Sequence, residues 1–253
     1  MGKTKAHQTR RMLVIPDAHF PDVDRRAWNT MLAAGEALKP DTVCIIGDFL
    51  DGYPISFHAK HPSKRRSLAA EIDSANRGLD EVMGIGAKRV IYCEGNHEHR
   101  LDRYIAEKCP ELYGVVSDLS GLLKIHQRKG WEWHPYRTFV RVGKLVIAHD
   151  FGKAGANAMR DSLAAVGDNI CFGHTHRLGT YYGGTIDGTT HVALNVGWLG
   201  NINAIDYRHR FEAAKNSQHG FGWVEFDERG TAFCQAIPIV NGRAIVNGKA
   251  VRG

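Results

Sequence analysis

Arg89-Val90-Ile91-Tyr92-Cys93, followed at once by Glu94-Gly95-Asn96-His97-Glu98, decides how this chain folds. The apolar run predicts a strand buried on both faces. Gly95 then permits a sharp bend, which sets an asparagine oxygen beside an imidazole: a neutral metal ligand next to a candidate proton donor. Alone this is a four-letter match. Four other apolar runs end the same way. Residues 12–16 lead into Asp17-Ala18-His19, 42–46 into Gly47-Asp48, 145–148 into His149, and 170–172 into Gly173-His174-Thr175-His176. Five strand ends therefore deliver ligand-type side chains.

Between these runs the periodicity turns helical. Asp22 is placed to cap a helix with Trp28, Met31, Leu32 and Leu38 on one face, stopped by Lys39-Pro40. Leu68, Ile72, Ala75, Leu79, Val82 and Met83 predict a helix over 67–83, and further helices are expected over 99–108 and 154–166, with a short one within 112–130. From Trp131 onward the texture is strand-rich. Strands are expected over 131–134, 138–142, 221–226, 232–240 and 243–246, with Asn241-Gly242 and Asn247-Gly248 as hairpin turns. The class is α/β.

The chain has 253 residues, 43% of them hydrophobic, enough for an ordinary core, and we expect a single domain over 12–253 behind a basic tail at 1–11. The net charge of +6 suits an anionic partner, but Lys3, Lys5, Arg10 and Arg11 supply four of those charges, so the body is only mildly basic. Five cysteines, widely spaced and without a CxxC pair, read as buried thiols in a reducing compartment. No run of about 18 apolar residues and no export signal occurs, so the expectation is a cytoplasmic protein with no membrane contact.

In α/β sheets ligands gather beyond the carboxyl ends of the strands, so the five ends imply one shared site. Its donors are Asp17, His19, Asp48, Asn96, His149, His174 and His176. Seven mixed oxygen and nitrogen donors, without cysteine, exceed the need of one tetrahedral zinc and suit two first-row cations roughly 3.5–4 Å apart.

Taken in order, Asp17-x-His19, Gly47-Asp48-x-x-Asp51, Gly95-Asn96-His97-Glu98, His149 and Gly173-His174-x-His176 resemble the calcineurin-like metallophosphoesterases. The resemblance implies a two-sheet β-sandwich flanked by helices, in four αββα layers, a dinuclear site and phosphoester hydrolysis by a bridging hydroxide. It implies that Asp17, His19 and His176 hold one cation, that Asn96, His149 and His174 hold the other, and that Asp48 bridges them. It also implies that His97 assists the leaving group and that Asp51 orients His97. Manganese is the first expectation, with iron, zinc, nickel or cobalt as alternatives. Two departures stand out. Gly52 occupies the place where the phosphoprotein phosphatase branch has an arginine after Asp51, which argues against that specificity, and Ala148 precedes His149 where the family often has glycine.

Several segments keep two readings. Asp51 suits a helix cap as well as a role beside His97. The stretch 53–66, with His58, Lys64, Arg65 and Arg66, is expected as an exposed basic loop that contacts substrate or merely faces solvent; Arg177 is a further candidate phosphate contact. Glu98, His99 and Arg100 read as a helix start, where Glu98 suits the dipole. The segment 198–219 mixes Trp198, Tyr207, Arg208, His209, Arg210, Phe211 and Lys215, able to stack bases or to form a lid or dimer contact. The first functional reading is a phosphodiesterase acting on DNA, RNA or nucleotide diesters. The rivals are a phosphomonoesterase on a nucleotide, small phosphate or phosphoprotein, and a non-catalytic scaffold; oligomeric state stays open.

Overall fold

The computed structural model describes residues 10–58, 60, 64–204 and 215–253. In chain order the elements are β1 (Arg10–Ile15), α1 (Arg25–Leu38), β2 (Thr42–Ile45), α2 (Leu68–Met83), β3 (Arg89–Cys93), α3 (Arg100–Lys108), α4 (Leu119–Leu122), β4 (Trp131–His134), β5 (Val140–Val142) and β6 (Leu145–Ile147). Then come α5 (Ala158–Val166), β7 (Asn169–Phe172), β8 (Leu178–Gly184), β9 (Thr190–Val196), β10 (Gly220–Phe226), β11 (Ala232–Pro238), β12 (Ala244–Val246) and β13 (Lys249–Val251). They form a six-stranded sheet, β11-β10-β1-β2-β3-β4, a five-stranded sheet, β5-β6-β7-β9-β8, and the hairpin β12-β13. In the first sheet β1 to β4 run parallel, while β10 joins β1 antiparallel.

Alternation along the strands explains the layering. Successive side chains point to opposite faces. Leu13, Ile15, Val43, Ile45, Val90 and Tyr92 pack with Trp28, Met31, Leu79 and Leu101 of the helices. Their sequence neighbours Met12, Val14, Cys44, Ile46, Ile91 and Cys93 turn the other way, onto Leu145, Ile147 and Leu194 of the second sheet. That sheet's outer face, Val146, Ile170, Phe172 and Ala193, is covered by Ala158 and Leu163 of α5. The result is the expected α/β sandwich of two sheets between helices. All five cysteines are free thiols, and four lie in the core between the sheets. Among the described residues no helix is long and apolar enough to cross a membrane.

Some boundaries move. The basic tail was expected through residue 11, but Arg10 and Arg11 belong to β1, opposite Phe226 and Glu225 of β10, and Arg11 N–H donates to Asp41 Oδ2 at 2.8 Å. The rest of that tail lies outside the described residues. The cap of α1 is Asp24, which accepts from the Arg26 and Ala27 N–H groups at 3.0 and 2.9 Å; Asp22 is engaged elsewhere. Helix α5 starts at Ala158, not 154, because Gly155 takes φ +82 and turns the chain before it. Asn241-Gly242 and Asn247-Gly248 have positive φ at both positions, the geometry of tight hairpin turns, and the second joins β12 to β13.

Candidate metal centre

The parallel strands of both sheets end in one place. Asp17 and His19 follow β1, Asp48 follows β2 and Asn96 follows β3, while His149 follows β6 and His174 and His176 follow β7. Donor atoms of Asp17, His19 and His176 lie within 4.8 Å of one another, and so do those of Asp48, His149 and His174. Nε2 of His19 and Nε2 of His176 face each other at 3.1 Å. The Asn96 Oδ1 lies 3.0 Å from His149 Nε2 and 2.8 Å from His174 Nδ1. Nitrogen lone pairs and carboxylate oxygens turned toward common points are what a cation requires. The residues present fit the group.

The backbone is bent to achieve this. His19, Asp48, His174 and His176 all adopt the left-handed region, with φ of 53, 47, 63 and 58°. For residues other than glycine each such conformation costs on the order of 1 kcal/mol and clusters where function demands it. Two glycines allow the loops to meet. A Cβ on Gly47 would lie 2.7 Å from Gly95 N and 2.8 Å from His149 Nδ1, and a Cβ on Gly95 would collide with Asp48.

The imidazoles are oriented from behind. Nδ1 of His149 donates to the Ile46 carbonyl at 2.9 Å, because that oxygen can only accept, and this leaves Nε2 for the site. Burial opposes a charge on His149, but Asp48, 3.4 Å away, raises its pKa to about 10. Burial likewise opposes ionised Asp48 and Asp17, yet the neighbouring histidines hold Asp48 well below the ordinary carboxylate range and Asp17 below it. The metal-free centre thus carries a proton on His149 through neutral pH. A cation needs that lone pair, so binding expels the proton, and affinity weakens as pH falls. Calorimetric titration with zinc at pH 7 in buffers of different ionisation enthalpy should show about one or more protons released per chain. A buffer-independent heat would contradict this protonation state.

Comparison with known proteins decides the family. The sequence profile of the calcineurin-like phosphoesterases matches residues 10–178. The chain belongs to that family. This phosphoesterase is 26% identical to the Gene 54 protein of Mycobacterium phage L5 over 95% of its own length and 98% of that protein. It is 27% identical to the Gene 54 protein of Mycobacterium phage D29 over the same shares. Among solved structures it is similar to Vps29 of Chaetomium thermophilum, at 14% identity, TM-score 0.42, covering 89% of this chain and 91% of that one. It is also similar to the NAD nucleotidase NadN of Haemophilus influenzae, at 12% identity, TM-score 0.39, covering 90% and 49%. Family membership assigns it metal-dependent phosphoester hydrolysis.

Around the donors of the phosphoesterase, Glu98 lies just before α3 and serves the loops rather than the helix dipole. Glu98 is 1% exposed and accepts five hydrogen bonds. Oε1 takes the Phe49 N–H at 2.7 Å, the Leu50 N–H at 3.0 Å and the Tyr92 hydroxyl at 2.9 Å; Oε2 takes the Asp48 N–H at 2.8 Å and the Gly95 N–H at 2.9 Å. One buried carboxylate therefore locks the loop after β2 to the loop after β3. In Glu98→Gln one oxygen becomes an NH₂ that faces N–H donors, so we expect a loss of about 3 kcal/mol in metal-free unfolding. An unchanged denaturant midpoint would show that the lock is dispensable.

His97 stands next to the donors. Its Nδ1 lies 2.8 Å from the Asp51 carbonyl and 3.2 Å from Asp51 Oδ1, its main-chain N–H donates to Asp48 Oδ1 at 2.8 Å, and its Nε2 is 3.7 Å from Asp48 Oδ2. Burial opposes ionisation of Asp51, but His19 and His97 hold its carboxyl far below the usual range. Asp51 is thus a partner of two histidines and caps no helix. His19, Asp51 and His97 also have donor atoms within 4.8 Å of one another.

The expected exposed basic loop is corrected at two positions. Lys64 and Arg66 have side chains only 17% and 19% exposed, because Asp22 gathers both: Lys64 Nζ lies 3.0 Å from Asp22 Oδ2, and Arg66 Nη2 donates to Asp22 Oδ1. Arg66 Nη1 also stands 3.8 Å from Asp51 Oδ2. His58 and Arg65 are exposed, and Arg177 is half-buried directly after His176. In the segment 198–219, Trp198 is 2% exposed and stacks on His176 at 4.9 Å, so its ring supports a ligand and has no face left for a base. Tyr207, Arg208, His209, Arg210 and Phe211 lie outside the described residues.

Proposed function

We propose that this phosphoesterase hydrolyses phosphodiesters, nucleic acid first among them, with two divalent cations, manganese before iron, zinc, nickel or cobalt. Asp17, His19 and His176 would hold one and Asn96, His149 and His174 the other, with Asp48 shared. The observation that carries this reading is a pair of three-donor groups, each drawn from both sheets: Asp17, His19 and His176, and Asp48, His149 and His174, the second with Asn96 Oδ1 between its imidazoles and tied to the first by the His174 N–H, which donates to Asp17 Oδ2 at 3.0 Å. Two bound cations supply neutralising charge at the phosphate and a water made acidic enough to attack at neutral pH. The protein's own part is to orient: Ile46 O turns His149, Trp198 backs His176, and Asp51 fixes His97 so that one ring nitrogen points to the departing oxygen. A complete donor set, with none replaced, disfavours the scaffold reading.

Nucleic acid as substrate rests on the net charge of +6 and on exposed cations in the stretch that follows Asp51, Lys60 and Arg65. Asp22 engages Lys64 and Arg66 together, and Arg66 also faces Asp51, which narrows the positive surface and favours the second reading, a phosphomonoesterase. Arg65→Ala separates the two. Lys64 and Arg66 are poor probes, since their removal also strands Asp22. For a nuclease, Arg65→Ala should weaken DNA or RNA cleavage several-fold and lower the salt dependence of binding by about one unit of log–log slope, with a small chromogenic diester hydrolysed as before. Unchanged cleavage of nucleic acid, joined to faster turnover of monoesters, would establish the monoesterase.

A further inference from the structure

Arg100 opens α3, yet its side chain folds back over the Asn96-His97 turn, and the residue is 8% exposed. Nη1 donates to the Asp51 carbonyl at 2.7 Å and Nη2 donates to His97 Nε2 at 2.8 Å. Neither acceptor is an anion. Among the described residues no ion pair joins this guanidinium to a carboxylate. Burial lowers the Arg100 pKa in spite of attraction from Asp51 and Asp48. A guanidinium withdrawn from water is ordinarily matched by an anion, so this one has acquired the cost of burial without the partner.

Its position suggests the partner. The stem crosses Gly52, where a Cβ would lie in ordinary contact with Arg100 Cδ at 3.5 Å and tightly against the His97 carbonyl oxygen at 3.2 Å, so that glycine, with φ of 63°, lets the two segments close on one another. The His97 nitrogen it caps is 3.7 Å from Asp48 Oδ2, at the heart of the donor cluster. A tetrahedral oxyanion drawn to that cluster arrives beside His97, within a side-chain rotation of Nη2. An Nη2 bond to an anionic oxygen is about twice as strong as one to a neutral imidazole.

We propose that Arg100 is a ligand of the substrate phosphoryl group: Nη2 leaves His97 for a non-bridging oxygen, and the released His97 Nε2 then faces the ester. No proton moves in the exchange. Nη1 stays on the Asp51 carbonyl, which keeps the guanidinium aimed. This rests on the phosphoester hydrolase reading above and adds one consequence to it. Until substrate arrives His97 Nε2 is occupied, so the ring nitrogen that is to meet the ester is uncovered by the phosphate it serves.

The probe is inorganic phosphate, titrated calorimetrically into zinc-loaded full-length protein. Arg100→Gln should retain zinc, bind phosphate about 10–100-fold more weakly and raise KM for a chromogenic diester by a similar factor, and Arg100→Lys should recover part of the loss. Phosphate binding equal to wild type, with only kcat reduced, would overturn the proposal and leave Arg100 as a positioning residue for His97. Should Arg100→Gln fail to fold, wild-type protein decides: phosphate should shift the ¹⁵N resonance of His97 Nε2, and an unmoved resonance overturns the exchange. A zinc-loaded wild type that hydrolyses no diester or monoester would instead remove the hydrolase reading beneath it.

Discussion

Asp48→Asn should release both cations together and lower kcat/KM by roughly 10³-fold or more, because the Lewis-acid contribution of such a centre is worth several kcal/mol. Asp48 is 2% exposed, and two histidines address its carboxylate through three groups: His149 Nε2 at 3.4 Å, His97 Nε2 at 3.7 Å, and the His97 main-chain N–H at 2.8 Å. An amide keeps the shape and removes the charge. Elemental analysis of the purified variant, set beside its rate, tests the assignment. Full retention of one cation would make Asp48 a ligand of a single site, and wild-type metal content would remove it from the ligand set.

His97→Ala should keep its metal and lose about 10²–10⁴-fold in rate, the usual size of general acid–base assistance. The loss should shrink for esters with good leaving groups, which depart without a proton. The geometry also supplies the contrary outcome, since His97 shares a donor cluster with His19 and Asp51. If metal content collapses in His97→Ala, the imidazole is a ligand and the acid must be sought elsewhere.

The strand ends were legible for a simple reason: a continuous apolar run followed at once by a ligand-type residue needs no knowledge of distant partners. The same holds for the hairpins at Asn241-Gly242 and Asn247-Gly248, whose chemistry is local. What escaped the reading acts across the chain. Glu98 binds main-chain N–H groups from 48 to 50, and backbone donors carry no signature in a sequence. Arg100 begins a helix, as its sequence neighbours indicate, but its side-chain contacts to residues 51 and 97 carry no local signature. The run at 53–66 reads as a charged surface until Asp22, more than forty residues earlier, is seen to hold Lys64 and Arg66. The left-handed backbone at His19, Asp48, His174 and His176 was hidden too, since glycine is the residue that advertises positive φ and none of these is glycine.

The place of β1 between β2 and β10 bears on how this protein comes into being. Residues leave the ribosome in order, and by His176 every donor has been made. At that moment β1, which delivers Asp17 and His19, has no neighbour on its outer side, for its antiparallel mate spans Gly220–Phe226. Asp17 itself waits longer than its sequence position suggests, because its carbonyl is bound by the N–H of Leu199 at 2.8 Å. Pairings separated by some two hundred positions are slow to find, and an unpaired strand is open to the wrong partner in the interval. The family match over 10–178 thus encloses the chemistry without enclosing a finished sheet. The nascent chain holds its whole catalytic alphabet well before it owns the strand that fixes the first letters in place.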